Sequence, residues 1–477
     1  LIIITKDGLL VFLLYSKINK QNQKLVHKCY HSMKHYLVTE APLDEARAAT
    51  AIRQYAHPLK NADDIQPLLD RIGDAKVVML GEASHGTHEY YTWRAQISKR
   101  LIEEKGFNFI GVEGDWPDCY RLNRFIKGYD NAGGSAFKVL HQFNRWPTWM
   151  WANWEISALA EWMHKHNAGL PANKKAGFYG LDVYSLWESM EYMMQYLQKT
   201  DPAALKVAEE AYRCFEPYRK DEGRTYAYAS RFVPELCQTE VVNLLKEIRR
   251  KLPQYNTDHE NVFSAEQNAL VMSNAEKYYR AMIEGGPNSW NIRDNHMADT
   301  LNRLLAFHGD NAKAIVWQHN THIGDARATD MAAEGMVNTG ELARTHYKNK
   351  NVVLVGFGSY EGTVMAGQSW GAPMQTMQMP QARKESWEYL LHQAGGENKL
   401  LLMNDFTGNE LFMENHIGHR AIGVVYNPLH ERYGNYVPTV VPLRYDAFIY
   451  LDKTKALHPL HIKPDGHQLP ETYPFGV

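Results

Sequence analysis

VVMLGEASHGTHEY, residues 77–90, passes from four consecutive apolar residues to a glutamate, a histidine and two glycines, and then into a helical pattern. An apolar run without polar alternation marks a strand covered on both faces, which belongs to a parallel sheet rather than a half-exposed antiparallel one. With KVVML (76–80) as the first, similar runs recur down the chain: FNFIGVE (107–113), AGFYGLD (176–182), AIVWQH (314–319), NVVLVGFG (351–358), KLLLMND (399–405), RAIGVVY (420–426) and DAFIYLD (446–452). Helical text separates most of them. This alternation predicts an α/β fold of three layers, α/β/α, around a mostly parallel sheet.

From about 183 to 300 the strand signal gives way to apolar residues spaced by three and four, broken at Pro217, Pro234, Pro253 and Gly285-Gly286-Pro287. That pattern predicts an inserted helical subdomain forming part of a cleft. The expected organisation is an N-terminal extension over 1–48, a catalytic core in two parts, 49–182 and 301–477, and the helical insertion over 183–300. The opening LIIITKDGLLVFLLYSK is interrupted by Lys6 and Asp7, short of the ~18–20 apolar residues of a membrane span. It also lacks a small-residue cleavage site. Ordinary globular sequence begins near Met33, so residues 1–32 read as an upstream or poorly ordered arm.

Fifty-two Lys and Arg stand against 54 Asp and Glu, a formal net charge of −2. Such a balance gives no electrostatic reason to expect nucleic acid or an anionic membrane as partner. The expected partner is a small molecule, and the expected state a monomer or homodimer. Cys29, Cys119, Cys214 and Cys237 show no CxxC spacing, so they indicate neither a zinc knuckle nor a redox pair. They read as residues of a reducing cytoplasm.

Open parallel sheets bind ligands beyond the carboxyl ends of their strands. Those ends are unusually polar here. KVVML is followed by Gly81, Glu82 and His85; FNFIGV by Glu113 and Asp115; AGFYGL by Asp182; AIVWQ by His319 and His322. In the opening stretch Gly81 and Gly86 bracket a turn, and Thr87 stands where it can cap the helix that follows. A helix N-terminus disfavours imidazolium, so His85 is expected neutral, as a general base must be. Arg94 is about two helical turns on and can lean back toward the turn.

GEASHGTHEYYTWR (81–94), GVEGDWPD (111–118), RWPTWMWAN (145–153), WNIRDNHMADTL (290–301), VWQHNTHIGDAR (316–327) and RAIGVVYNP (420–428) together resemble the erythromycin esterase family, including its succinoglycan-biosynthesis-like members. The resemblance implies a catalytic set on Glu82, His85, Arg94, Glu113, His319 and His322, with no metal and no cofactor. It implies that His85 activates water to open an ester or macrolactone, a chemistry associated with macrolide resistance. Asp115, Trp116, Trp149 and Tyr360 are assigned to the substrate.

In this scheme Glu82 or Glu113 orients His85, while Arg94 and one of His319 or His322 stabilise the developing charge or protonate the leaving group. No GxSxG elbow occurs in these motifs, and Ser84 sits beside His85 in a turn where neighbours point apart, so a serine nucleophile is disfavoured. Two alternatives remain. The carboxylates and histidines can instead ligate a divalent ion, as in the Tiki-like peptidases, although HExxH is missing and Arg94 is a poor neighbour for a cation. The third reading is a binding protein without turnover.

Overall fold

The computed structural model describes residues 44–461 apart from 130–133, 222–223, 233–235, 252–257 and 285. Residues 1–43, which carry most of the expected extension and the 1–32 arm, lie outside the described residues, as do Pro234, Pro253 and Gly285. Within the span assigned to the extension, the helix Glu45–Tyr55 already belongs to the folded unit.

Among the described residues nine strands form one sheet. In chain order they are β1 (His57–Pro58), β2 (Val77–Leu80), β3 (Phe109–Asp115), β4 (Gly177–Asp182), β5 (Ala314–Trp317), β6 (Val352–Gly367), β7 (Met374–Met379), β8 (Lys399–Leu402) and, after a separate pair β9 (Ile417–Arg420) and β10 (Tyr436–Thr439), β11 (Ala447–Thr454). The lateral order is β1-β8-β11-β6-β2-β5-β3-β4, with β7 folding back on the far half of β6. From β4 to β11 every neighbouring pair is parallel; β8 and β1 finish one edge antiparallel.

All four residues of β2 are buried, as are all four of β5. Helices on both faces account for this. Val78, Leu80, Ile110, Val112, Ile315 and Trp317 pack against Ile97 and Leu101 of the helix His88–Lys105 on one side. The helix Asn288–His308, with Met297, Leu301 and Leu304 buried, lies along β4. Chain connections leave β2 and β5 in opposite lateral directions, β2 toward β3 and β5 toward β6. That divergence opens the crevice at the carboxyl ends.

Between β4 and the helix Asn288–His308 run the helices Leu186–Thr200, Pro202–Phe215, Arg224–Ala229, Gln238–Lys251 and His259–Ala281. They share an apolar cluster built on residues such as Leu186, Met190, Phe215, Leu244 and Met272. These helices fall within the 183–300 span read as helical. Cys214 and Cys237 are joined by a disulfide inside it, with Cα atoms 5.8 Å apart. This departs from the reducing chemistry read from cysteine spacing, because partners 23 residues apart leave no short motif. Cys119 is a buried free thiol.

One expected strand is different. RAIGVVY (420–426) contributes only Arg420 to a strand, in the two-stranded β9–β10 ribbon. Beyond it Ile422 and Val425 make single bridges to Ser84 and Gly367. Ile422 and Tyr426 are buried against Val364 and Ala366 of β6 and Met377 and Met379 of β7; apolar content reports burial, not strand pairing.

Candidate active site

The turn after β2 is held by close approach. A Cβ at Gly81 would lie 2.1 Å from Asn320 Oδ1, and one at Gly86 1.9 Å from the Met365 carbonyl oxygen. Only glycine lets the backbone pass, and its passage fixes Glu82 to His85 against β5 and β6. Thr87 takes the N-cap position of the helix His88–Lys105, but its hydroxyl pairs with Ser84 Oγ instead of capping a backbone amide. The His88 amide donates to the Lys455 carbonyl (2.9 Å), in the segment after β11.

Arg94 does lean back. Its Nη2 donates to Glu82 Oε2 at 2.7 Å, and the fully buried guanidinium lies over Tyr91 and Trp317, 4.3 and 4.7 Å from their ring centres. Glu82 Oε1 takes His85 Nδ1 at 3.0 Å. A carboxylate can only accept there, so Nδ1 carries the proton and Nε2 keeps its lone pair. Nε2 lies 3.9 Å from Glu113 Oε1, beyond hydrogen-bond reach. Burial disfavours protonation of this ring, yet Glu113 and Glu82 outweigh it and hold its pKa above the ordinary 6.5. Two carboxylates at close range thus favour the protonated ring and oppose the neutral state expected of His85 ahead of the helix.

Glu113, from β3, joins the centre's halves. It accepts the His319 amide (2.8 Å) and Arg293 Nη2 (2.7 Å), and lies 3.5 Å from His322 Nε2. Burial would raise its pKa, but His322, Arg293, His85 and that amide hold it far below the usual carboxylate range. Arg293 also grips Asp182 with two bonds, 2.9 and 2.6 Å, and its Nη1 donates to His322 Nε2 at 3.0 Å. His322 is fixed from its other side by Asp294 (2.9 Å to Oδ1) and by stacking on Trp290, centroids 4.5 Å apart.

His319 stands 4.9 Å from His85, ring centre to ring centre. Its Nδ1 accepts the Thr321 amide, so the proton sits on Nε2, which makes no hydrogen bond among the described residues although it is buried. Burial, then repulsion from His85, keeps this ring neutral, its pKa well below 6.5. The result is a neutral donor beside a base.

His85 and Glu113 open on a cavity of about 120 Å³ walled also by Asp115, Arg145, Trp146, Asp182, Tyr184, Arg293 and Trp370. Asp118, on the same wall, is pushed up to about 7 by burial and by Asp115. Asp115 is paired with Arg145 at 3.0 Å. The other three residues assigned to the substrate lie elsewhere. Trp116 opens the helix Trp116–Ile126 and turns into the core between Tyr120 and Tyr179, donating to Ser264 Oγ at 3.1 Å. Trp149 is buried in the main apolar cluster. Tyr360 stacks on His392, centroids 3.7 Å apart. Trp116 and Trp149 each stand beside a wall residue, Asp115 and Thr148, and point the other way, which sequence proximity hides.

Arg293, Asp182 and Asp294 complete the centre without having been assigned roles in it. WNIRDNHMADTL held Arg293 and Asp294 in plain view, but inside helical text. The only available signal was an Arg-Asp pair in a motif shared with the family.

A divalent ion does not fit here. Glu82 and Glu113 are each neutralised by an arginine, and Arg293 Nη1 occupies the His322 lone pair that an ion would need. The donor set that converges closely enough among the described residues lies outside this centre.

A sequence model of the family described as Erythromycin esterase matches residues 102–454. The chain belongs to the erythromycin esterase family. Glu82, His85 and Arg94 stand just ahead of the matched span. A curated relative, erythromycin esterase type II of Escherichia coli, is 25% identical over 287 residues, 56% of this chain; the match spans 65% of that relative, under two-thirds of its length. Among solved structures, a succinoglycan biosynthesis protein (TM-score 0.70) and a Bacillus cereus protein (0.73) are each 21% identical, covering 88% of this chain and all of theirs. An erythromycin esterase mutant in its open conformation is 16% identical with a TM-score of 0.61, over 83% of this chain and 95% of its own. At these identities the structures speak to the fold, and they place the mostly parallel α/β sheet within erythromycin esterase-type architecture.

Proposed function

We propose that the chain is a carboxylic ester hydrolase of the erythromycin esterase type, in which His85 turns water into the nucleophile. The carrying observation is the pinned ring: Nδ1–H is tied to Glu82 while Nε2 keeps its lone pair on the cavity side. Water gives its proton to Nε2 and its oxygen attacks the ester carbonyl. Arg293, at the cavity wall, and the unengaged Nε2–H of His319 supply positive charge and a hydrogen bond for the oxyanion. The imidazolium at His85 returns the proton to the departing alkoxide. Arg94 acts through Glu82 and is a positioning residue.

The curated relative's name favours an ester within a macrolide, and macrolide resistance is the corresponding physiological reading. The test is hydrolysis of a panel of macrolides and simple acyl esters, with gain of one water read by mass spectrometry. His85→Asn should lower kcat by about 10²–10⁴, the usual worth of a positioned general base, with an unchanged circular dichroism spectrum. Near-normal turnover by that variant refutes the role.

A further inference from the structure

Beside the catalytic turn, three segments far apart in the chain come together. Thr87 bridges Ala456 and Asn153 bridges Pro459; the Trp154 amide donates to the His458 carbonyl at 3.0 Å. Where they meet, Glu155 Oε1 lies 2.6 Å from His88 Nδ1 and 2.7 Å from His458 Nδ1. The two rings stand edge to face, 5.1 Å between centroids, and the three donor atoms all fall within 4.8 Å of one another. Glu155 Oε2 is buried and makes no hydrogen bond among the described residues.

This cluster differs from the esterase centre in one decisive respect. Glu82 and Glu113 are matched by guanidinium groups, whereas the ion-pair partners of Glu155 among the described residues are the two imidazoles. A carboxylate facing only titratable rings, with a second oxygen unengaged, is suited to a cation heavier than a proton. We propose that His88, Glu155 and His458 form a binding site for a divalent transition-metal ion, zinc by the chemistry of the donors.

Two imidazoles and one carboxylate are a standard zinc donor set, with Zn–N of about 2.0–2.1 Å and Zn–O of about 2.0–2.2 Å. Tetrahedral ligands at those lengths stand about 3.3 Å apart, so the groups must separate by less than ~1 Å. Neutral rings need release no proton. Each moves its hydrogen from Nδ1 to Nε2 and turns the freed lone pair on the ion. Bound there, the ion ties the segment after β11 to the helix that starts three residues past His85.

The experiment uses the full chain, treated with chelator and desalted, then titrated with zinc alone by calorimetry and with cobalt(II) as a spectroscopic reporter. One equivalent of zinc should bind, and cobalt should develop the visible bands of tetrahedral coordination. Half-exposed His458 can be replaced without opening the core: His458→Ala should weaken zinc binding by more than about 100-fold, beyond the ~10–100-fold typical of outer-shell changes. His85→Asn should leave it unchanged. No stoichiometric binding, equal binding by His458→Ala, or loss of binding in His85→Asn would each overturn the site.

Discussion

The base role proposed for His85 requires an unprotonated ring, and its pKa lies above 6.5 in the folded chain. Activity should therefore rise as pH rises through that raised pKa, so kcat/KM plotted against pH has an acid limb with its midpoint above the ordinary histidine value. Glu113→Gln removes the leading charge that raises it and should move the midpoint to lower pH; an unmoved midpoint would dissociate His85 from the limb. Arg293 holds Glu113, Asp182 and His322 at once. A lysine presents a point charge rather than a fork, so Arg293→Lys should cost about 10²–10³ in kcat, the scale of losing one oxyanion donor. At this scale the sequence was informative where a polar residue ends an apolar strand, as at Glu82, Glu113 and His319. It was silent on Arg293, because a side chain reaching in from a helix leaves no trace in strand-end patterning. It misdirected at Trp116, whose neighbour Asp115 lines the cavity while its own ring turns into the core, and at Tyr360, which lies against His392.

At the level of elements, the turn that carries Glu82 and His85 depends on two backbone approaches. Gly86 is the more demanding, since an added Cβ would meet the backbone of Met365, which cannot swing aside as the Asn320 side chain can. Gly86→Ala should destabilise the fold by about 3 kcal/mol or more, at the upper end of overpacking costs, read as a lower urea midpoint; an unchanged midpoint would mean β6 yields easily. The central strands were legible because strands buried on both faces are written as unbroken apolar runs. β7, MQTMQM, was not: it is mostly exposed on a hairpin extension, and Thr376 is its single β-branched residue among methionines and glutamines that do not announce a strand. RAIGVVY carries that announcement and yet does not pair as a strand, since its buried side chains are covered by Val364 and Ala366 of β6 and Met377 and Met379 of β7.

Across the whole molecule, the cavity is assembled from both parts of the core and closed by the β6–β7 hairpin. Trp370 at its tip is 42% exposed and meets Trp146, centroids 4.7 Å apart, while Trp146 Nε1 donates to the Ala372 carbonyl at 2.9 Å. A cavity of about 120 Å³ falls below the ~300–1,000 Å³ of sites for drug-sized ligands. A large ester then places its acyl carbon inside and the remainder against this aromatic rim. Trp370→Ala should raise KM by up to about tenfold, the worth of an aromatic contact, while kcat stays near normal; a fall in kcat with KM fixed would assign the residue to the chemistry instead.

The pairing of Thr87 with Ala456 also sets an order of events at the ribosome. The turn bearing His85 leaves the ribosome before its backbone partner, which follows 369 residues later, on the order of 20–70 s afterwards at about 5–20 residues per second. For that interval the nascent chain carries the paired Glu82 and His85 without the segment that bridges their turn.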